Sequence, residues 1–254
     1  MSALLDVQGL SIHFGGVKAV QEVSFTVQGG QVCSVIGPNG AGKTTLFNLI
    51  TGVYGPTAGT VRLGDEEIVG MRPHQLAARG MARTFQNLQV CMNLNAMENV
   101  MVGAHLRLNR NMLLAALAWP SLKRADAALR DEAAQLMDFV GLGSVVDART
   151  DALSYGMLKR LEIARALALK PRLLFLDEPA AGLNPTESRA LDELVRKVAA
   201  TGCTVVLVEH DMKMVMNLSD HVVVLNYGRK LAEGTPADVR ANPEVVAAYL
   251  GQPG

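Results

Sequence analysis

The feature that most narrows what this chain can fold into is the run Gly37-Pro38-Asn39-Gly40-Ala41-Gly42-Lys43-Thr44. It fits G-x-x-x-x-G-K-[ST] and lies between an apolar, β-branched run, Val32 to Ile36, and a helical pattern beginning near Lys43. Glycines let such a loop wrap so that successive backbone N–H groups point inward at phosphate oxygens, and the helix start adds its positive dipole end. Lys43 is expected to reach the β- and γ-phosphates and Thr44 to ligate Mg²⁺, with Thr45 next in line. A strand, this loop and a helix in that order require a parallel α/β sheet, with the ligand at the carboxyl ends of its strands.

Two further runs, Leu173 to Leu176 and Thr204 to Val208, lack period-2 alternation, as strands buried on both faces do. The first ends in Asp177-Glu178. Neighbouring residues at a strand end diverge, which assigns Asp177 to the Mg²⁺ side and lets Glu178 orient or deprotonate the attacking water. The second ends in Glu209-His210-Asp211, bringing His210 to the same sheet edge. Taken alone, His210 reads as a helix-starting residue bonded to nearby backbone; beside the other motifs it reads as a partner of the water or the γ-phosphate.

The rest of the chain supplies the frame. Leu4 to Leu10, Ile12 to Phe14 and Val23 to Val27, separated by Gly15-Gly16 and Gly29-Gly30, predict an antiparallel β layer. From Asn95 to Leu169 the pattern turns helical, with Ala125, Ala128, Leu129, Ala133, Leu136 and Val140 at helical spacing. Val222 to Leu225 and Lys230 to Ala232 around Asn226-Tyr227-Gly228-Arg229 predict a hairpin before a last short helix. The expected divisions are 1–94, first part of the nucleotide-binding core; 95–169, an inserted helical subdomain; and 170–254, the second part of the core with hairpin and helix. Lys plus Arg and Asp plus Glu number 24 each, so no charge field favours nucleic acid as a partner. Cys33, Cys91 and Cys203 have no metal or disulfide spacing and read as reduced thiols of a cytosolic chain. The longest apolar run, Met112 to Trp119, is too short to cross a bilayer.

Leu153-Ser154-Tyr155-Gly156-Met157, opening the helical Leu158 to Leu167 upstream of the acid-ending strand, resembles the signature sequence of the ABC ATPases. With the phosphate loop and the acid pair in this order, the resemblance covers essentially the whole chain. It implies a RecA-like P-loop cassette with an antiparallel β layer and an inserted helical subdomain, and it implies ATP and Mg²⁺ as ligands. It also implies pairing of two cassettes head to tail, so that Ser154 and Gly156 of one close on the γ-phosphate bound by the other. Phe14 looks like the aromatic that stacks on adenine, although core packing explains it equally well when taken singly. Gln86, in Thr84-Phe85-Gln86-Asn87, looks like the glutamine that touches the metal and links nucleotide state to the membrane subunits; taken singly it is a solvated loop amide.

The long insertion and the tail, Leu225-Asn226-Tyr227-Gly228, Ala232-Glu233-Gly234-Thr235-Pro236 and Ala248-Tyr249-Leu250-Gly251, resemble the ATPases of branched-chain amino acid importers. That likeness implies two transmembrane permeases, a second ATPase subunit, an extracytoplasmic binding protein and a place on the cytoplasmic face of the plasma membrane. Three departures stand out: Met157 where the family usually has glutamine, Asn184 in Gly182-Leu183-Asn184-Pro185 for the commoner aspartate, and Gln89 to Ala96, in the region that normally faces the permease. A soluble ABC-type ATPase acting on ribosomes or DNA, or a regulatory nucleotide-binding module, is the rival. It usually carries a second cassette or a long coiled coil, and neither a second phosphate loop nor sustained heptads are present in the sequence. A guanine-reading Asn-Lys-x-Asp is also missing from it.

Overall fold

The computed structural model describes residues 3–107 and 119–250, and it holds two sheets. Most of the apolar run at Met112 falls outside the described residues, as does Gly251. The first sheet is antiparallel, in the order β2 (Val17–Gln28), β1 (Ala3–Phe14), β4 (Ala58–Leu63), β5 (Glu66–Glu67). The two short runs expected before Phe14 are one strand. Register shifts around Gly9, which has φ +58°, bend β1 instead of ending it.

The second sheet runs β10 (Arg229–Gly234), β9 (His221–Asn226), β3 (Val32–Ile36), β8 (Thr204–Val208), β7 (Leu173–Asp177), β6 (Met81–Arg83). Strands β9, β3, β8, β7 and β6 are parallel, and β10 pairs antiparallel to β9 at the edge. All five residues of β3, β7 and β8 are buried. Alternation is absent from the sequence of these strands because both faces are covered. Val35, Phe175, Val206 and Val208 pack toward the antiparallel sheet and helix α1 (Lys43–Ile50), while Leu174, Leu176, Val205 and Leu207 pack toward helices on the other side.

Those helices are α3 (Ala96–Gly103), α4 (Trp119–Phe139), α5 (Tyr155–Leu167) and α6 (Pro185–Ala200), with α2 (Pro73–Ala77) before them and α7 (Met212–Leu218) after. Gly103 lets α3 lie directly on α5: a Cβ there would stand 2.0 Å from the carbonyl oxygen of Arg165. Asn184 accepts from the N–H groups of Thr186 and Glu187, 3.0 Å each, and Glu187 answers at the Asn184 N–H at 3.1 Å. The asparagine thus completes the capping box at the start of α6. Ser154 caps α5 by accepting from Met157 N–H at 3.3 Å, with no reciprocal bond from Met157, whose side chain has no oxygen to accept the Ser154 N–H. The hairpin after β9 has the two-residue turn Tyr227-Gly228, both at positive φ, and two short helices follow it where one was expected: α8 (Pro236–Ala241) and α9 (Pro243–Leu250). Among the described residues no helix is long and apolar enough to cross a membrane.

Candidate functional site: a triphosphate cradle at the carboxyl ends of the strands

The loop from Gly37 to Gly42 leaves β3 and enters α1 with Gly37, Gly40 and Gly42 at φ +152°, +79° and +97°. Close neighbours add a second constraint at two of them: a Cβ on Gly37 would lie 2.2 Å from the carbonyl oxygen of Leu225, and one on Gly42 would lie 2.5 Å from that of Ala19. The loop borders a cavity of about 680 Å³ lined by Asn39, Gly40, Ala41, Gly42, Lys43, Thr44 and Thr45, by Lys18 and Gln21 of β2, by Tyr227 and Gly228 of the hairpin turn, and by Glu178. Lys43 Nζ donates to the carbonyl oxygens of Gly37 at 2.7 Å and Pro38 at 3.1 Å, inside the curve of the loop. Burial lowers its pKa from the ordinary lysine value, and the charge of Glu178 opposes that shift. Pro38 turns outward, with Asn39, onto a second cavity closed by Glu244 and Ala248 of α9.

Asp177 and Glu178 diverge as expected of neighbours at a strand end. Asp177 is 2 % exposed and is not among the residues that line the cavity, and its Oδ2 accepts from Arg83 at 2.8 Å. Its Oδ1 is buried and has no hydrogen-bond partner. Burial raises its pKa above the ordinary aspartate value, against the hydrogen bond and charge of Arg83. Glu178 turns up toward the cavity at φ +45°, a left-handed conformation that a side chain of this size adopts only where its surroundings impose it. Here the Glu178 N–H donates to Val208 O at 3.0 Å and its Oε2 accepts from Gln86 Nε2 at 3.2 Å.

The remaining candidates fall in four places. Gln86 is brought to Glu178. Phe14 is half-exposed, edge-on to Tyr54 with ring centroids 5.5 Å apart, and is not among the residues that line the cavity, although Gly16 and Val17 are. His210 follows β8 with 61 % of its side chain exposed, and its N–H donates to Glu209 Oε2 at 3.1 Å. Ser154 and Gly156 lie off their own chain's cavity: Tyr155, between them, stands over Gly182, and Glu187 lies against Gly156.

Arg83 is the functional residue that sequence reasoning missed. It ends the short strand β6, and besides Asp177 it donates to Asn48 Oδ1 at 2.7 Å and Thr51 Oγ1 at 2.6 Å. A lone arginine after two apolar residues was the only signal in the sequence.

An uncommitted buried carboxylate oxygen at the end of β7 and a hydroxyl at the start of α1 are donors of the kind that suit a hard cation. Among the described residues no cluster of three or more His, Cys, Asp or Glu side chains could hold a metal by itself. One carboxylate and one hydroxyl suit Mg²⁺, which takes few protein ligands and completes its shell with phosphate and water oxygens. The residues present therefore fit the ion.

A glycine cradle after a buried parallel strand, with a buried acid and a cavity-facing acid at the end of a nearby strand, defines a P-loop nucleoside triphosphatase. The sequence pattern described as "ABC transporter" matches residues 20–181, and that described as "Branched-chain amino acid ATP-binding cassette transporter" matches 229–253. The chain is 47 % identical over 250 residues to the high-affinity branched-chain amino acid transport ATP-binding protein BraF of Pseudomonas aeruginosa, and 44 % identical to LivG of Escherichia coli K12, covering 98 % of each chain in both pairs. Among solved structures it is similar to a nucleotide-free ATP-binding cassette from an ABC transporter (31 % identity, TM-score 0.85) and to an ATP-binding cassette of an ABC transporter in its ADP conformation (30 %, 0.86), covering 99 % of this chain and 100 % of each of those. The chain belongs to the ABC transporter family, as an ATP-binding and ATP-hydrolysing cassette.

Proposed function

We propose that this chain drives an importer of branched-chain or related amino acids, as one of two cassettes paired head to tail on the cytoplasmic face of the membrane. The catalytic part is carried by one observation: Glu178, held at positive φ and bonded by Gln86, faces the same cavity as Lys43 and Thr44. Lys43 leaves the loop carbonyls for the β- and γ-phosphates, and the loop N–H groups hold the remaining phosphate oxygens. Glu178 orients and deprotonates the attacking water, while Gln86 steadies Glu178 and reads the γ-phosphate end of the site. His210 swings from its exposed place to the γ-phosphate, and Phe14 supplies a ring for adenine. Thr44 and Asp177, with Gln86 beside them, hold Mg²⁺, which when bound offsets charge on the phosphates. Arg83 keeps one oxygen of Asp177 and leaves the other for the ion.

Ser154 and Gly156 start a helix, and a helix start favours anions. Since they lie off their own cavity, they act on ATP held by the second cassette, either a paralogue or another copy. Two transmembrane permeases are the parts that move. A cavity of about 310 Å³ beside Gln86, lined by the exposed Phe85 and Val102 and by Gly103 and Arg165, receives a cytoplasmic segment of a permease. The amino acid substrate and the extracytoplasmic binding protein follow from likeness to BraF and LivG along almost the full length and from the match at 229–253.

Glu178→Gln tests the chemistry. It should keep the thermal shift given by Mg·ATP, trap a closed pair and lower turnover by about 100-fold or more, as loss of a general base does. Unchanged turnover discards Glu178 as the base. In cells lacking the gene, uptake of labelled leucine should return with the parent chain and not with E178Q; uptake unaffected by the deletion rejects the transport reading.

A further inference from the structure

Helix α5 opens with the signature residues Ser154 and Gly156, and three charged side chains further along it point at one loop. Lys159 and Glu162 are each 3 % exposed, a costly place for ionisable groups without partners. Glu162 Oε1 accepts from the backbone N–H groups of Phe85 and Gln89, at 3.4 Å each. Lys159 Nζ donates to the carbonyl oxygen of Gln86 at 3.3 Å, and Arg165 donates to that of Gln89. The acid takes backbone donors and the bases take backbone acceptors, so the loop is gripped by its main chain and the Gln86 side chain is left free to meet Glu178. Residues 159, 162 and 165 are spaced by three and share one stripe of the helix. Glu162 and Arg165 also line the groove beside Phe85.

We propose that Glu162 is a positioning residue for hydrolysis: with Lys159 and Arg165 it ties the Gln86 loop to the signature helix and so holds the Gln86 side chain against Glu178. This rests on the reading of Gln86 and Glu178 as parts of the hydrolytic site. What is required is an acceptor oxygen that can take two amides at once, and among uncharged residues of similar size only glutamine supplies one at this reach. Burial raises the carboxyl pKa of Glu162, a cost the fold sustains at a position where leucine would pack without it.

The test compares the full chain with Glu162→Leu and Glu162→Gln. E162L removes the acceptor and should lower kcat by about tenfold or more, with KM for Mg·ATP held within about twofold because the phosphate loop is untouched. E162Q keeps an acceptor oxygen and should return kcat to within about threefold of the parent. Hydrogen exchange over residues 84–90 should quicken by about tenfold or more in E162L and stay near the parent in E162Q. Should E162L not fold, Glu162→Asp takes its place, since losing one methylene draws the carboxylate away from both amides. The proposal is overturned by a kcat for E162L within about twofold of the parent, by KM rising as kcat falls, or by E162Q as slow as E162L. A parent chain with no ATPase activity would instead sink the reading of the site, while exchange at 84–90 would still report on the tie itself.

Discussion

Replacing Arg83 with methionine keeps most of its apolar stem and removes its charge. The side chains of Arg83 and Asp177 are 9 % and 2 % exposed and meet at 2.8 Å through Oδ2, while Asp177 Oδ1 has no hydrogen-bond partner. Removing one member of a buried ion pair and leaving the other uncompensated costs about 3–5 kcal/mol. Thr51 Oγ1 still donates to Phe47 O at 2.7 Å, so its loss of Arg83 adds little. For a domain of this length 1 kcal/mol moves the thermal midpoint by about 2–4 °C, so R83M should melt about 6–20 °C below the parent. On the proposed reading of the site, a divalent ion held by Asp177 would replace the missing positive charge. In differential scanning fluorimetry the upward shift given by Mg·ATP should therefore be larger for R83M than for the parent, whereas ATP with EDTA should shift both alike. A midpoint lowered by less than about 2 °C would show that the pair carries no net stability. Equal shifts with and without magnesium would show that Asp177 does not face the ion.

Three other outcomes test separate parts of the structure. Gly42→Ala places a Cβ 2.5 Å from Ala19 O at φ +97°, and strain of this kind should weaken ATP binding by about tenfold or more; an unchanged Kd in calorimetry would refute the close approach. Met157→Gln should complete the cap opposite Ser154, raise the midpoint by about 1–3 °C and speed turnover, and no change in turnover would remove Met157 as the slow element. The hydrogen bond from Arg107 lowers the pKa of Glu132 below the ordinary glutamate range, overriding the effect of burial, so its contribution is present at neutral pH and is lost as pH falls through the depressed folded value. The pair is partly exposed, which limits it to about 1 kcal/mol, and Glu132→Gln should destabilise mildly at neutral pH and progressively less as pH falls through the depressed value; a deficit that does not shrink with falling pH would assign the loss to packing.

What the sequence could reveal was whatever is written in neighbouring residues. The cradle from Gly37 to Thr44 is legible because one short stretch carries the glycines, the lysine and the hydroxyl that a phosphate needs. Buried strands are legible in the unbroken apolar runs at Val32, Leu173 and Thr204, and the divergence of Asp177 and Glu178 was legible from their place at a strand end, although the left-handed turn at Glu178 that produces it was not. Ser154 as a cap and Asn184 in place of aspartate could both be read, since caps act within three residues. Strand β6 could not be read, because three residues carry no period.

Tertiary structure alone decided which distant groups meet. Arg83 and Asp177 are 94 positions apart, Gln86 and Glu178 are 92 apart, and Glu162 reaches Phe85 across 77. Each of these contacts exists because β6 pairs with β7 and because α5 lies under the loop that follows β6, and nothing in the local residue pattern states either fact. Local chemistry thus set what the chain can hold, and the order of strands in the sheet set which side chains surround it. Short-range patterns record the energetics of one element with its own backbone. The pairing of elements is chosen by the whole hydrophobic core at once.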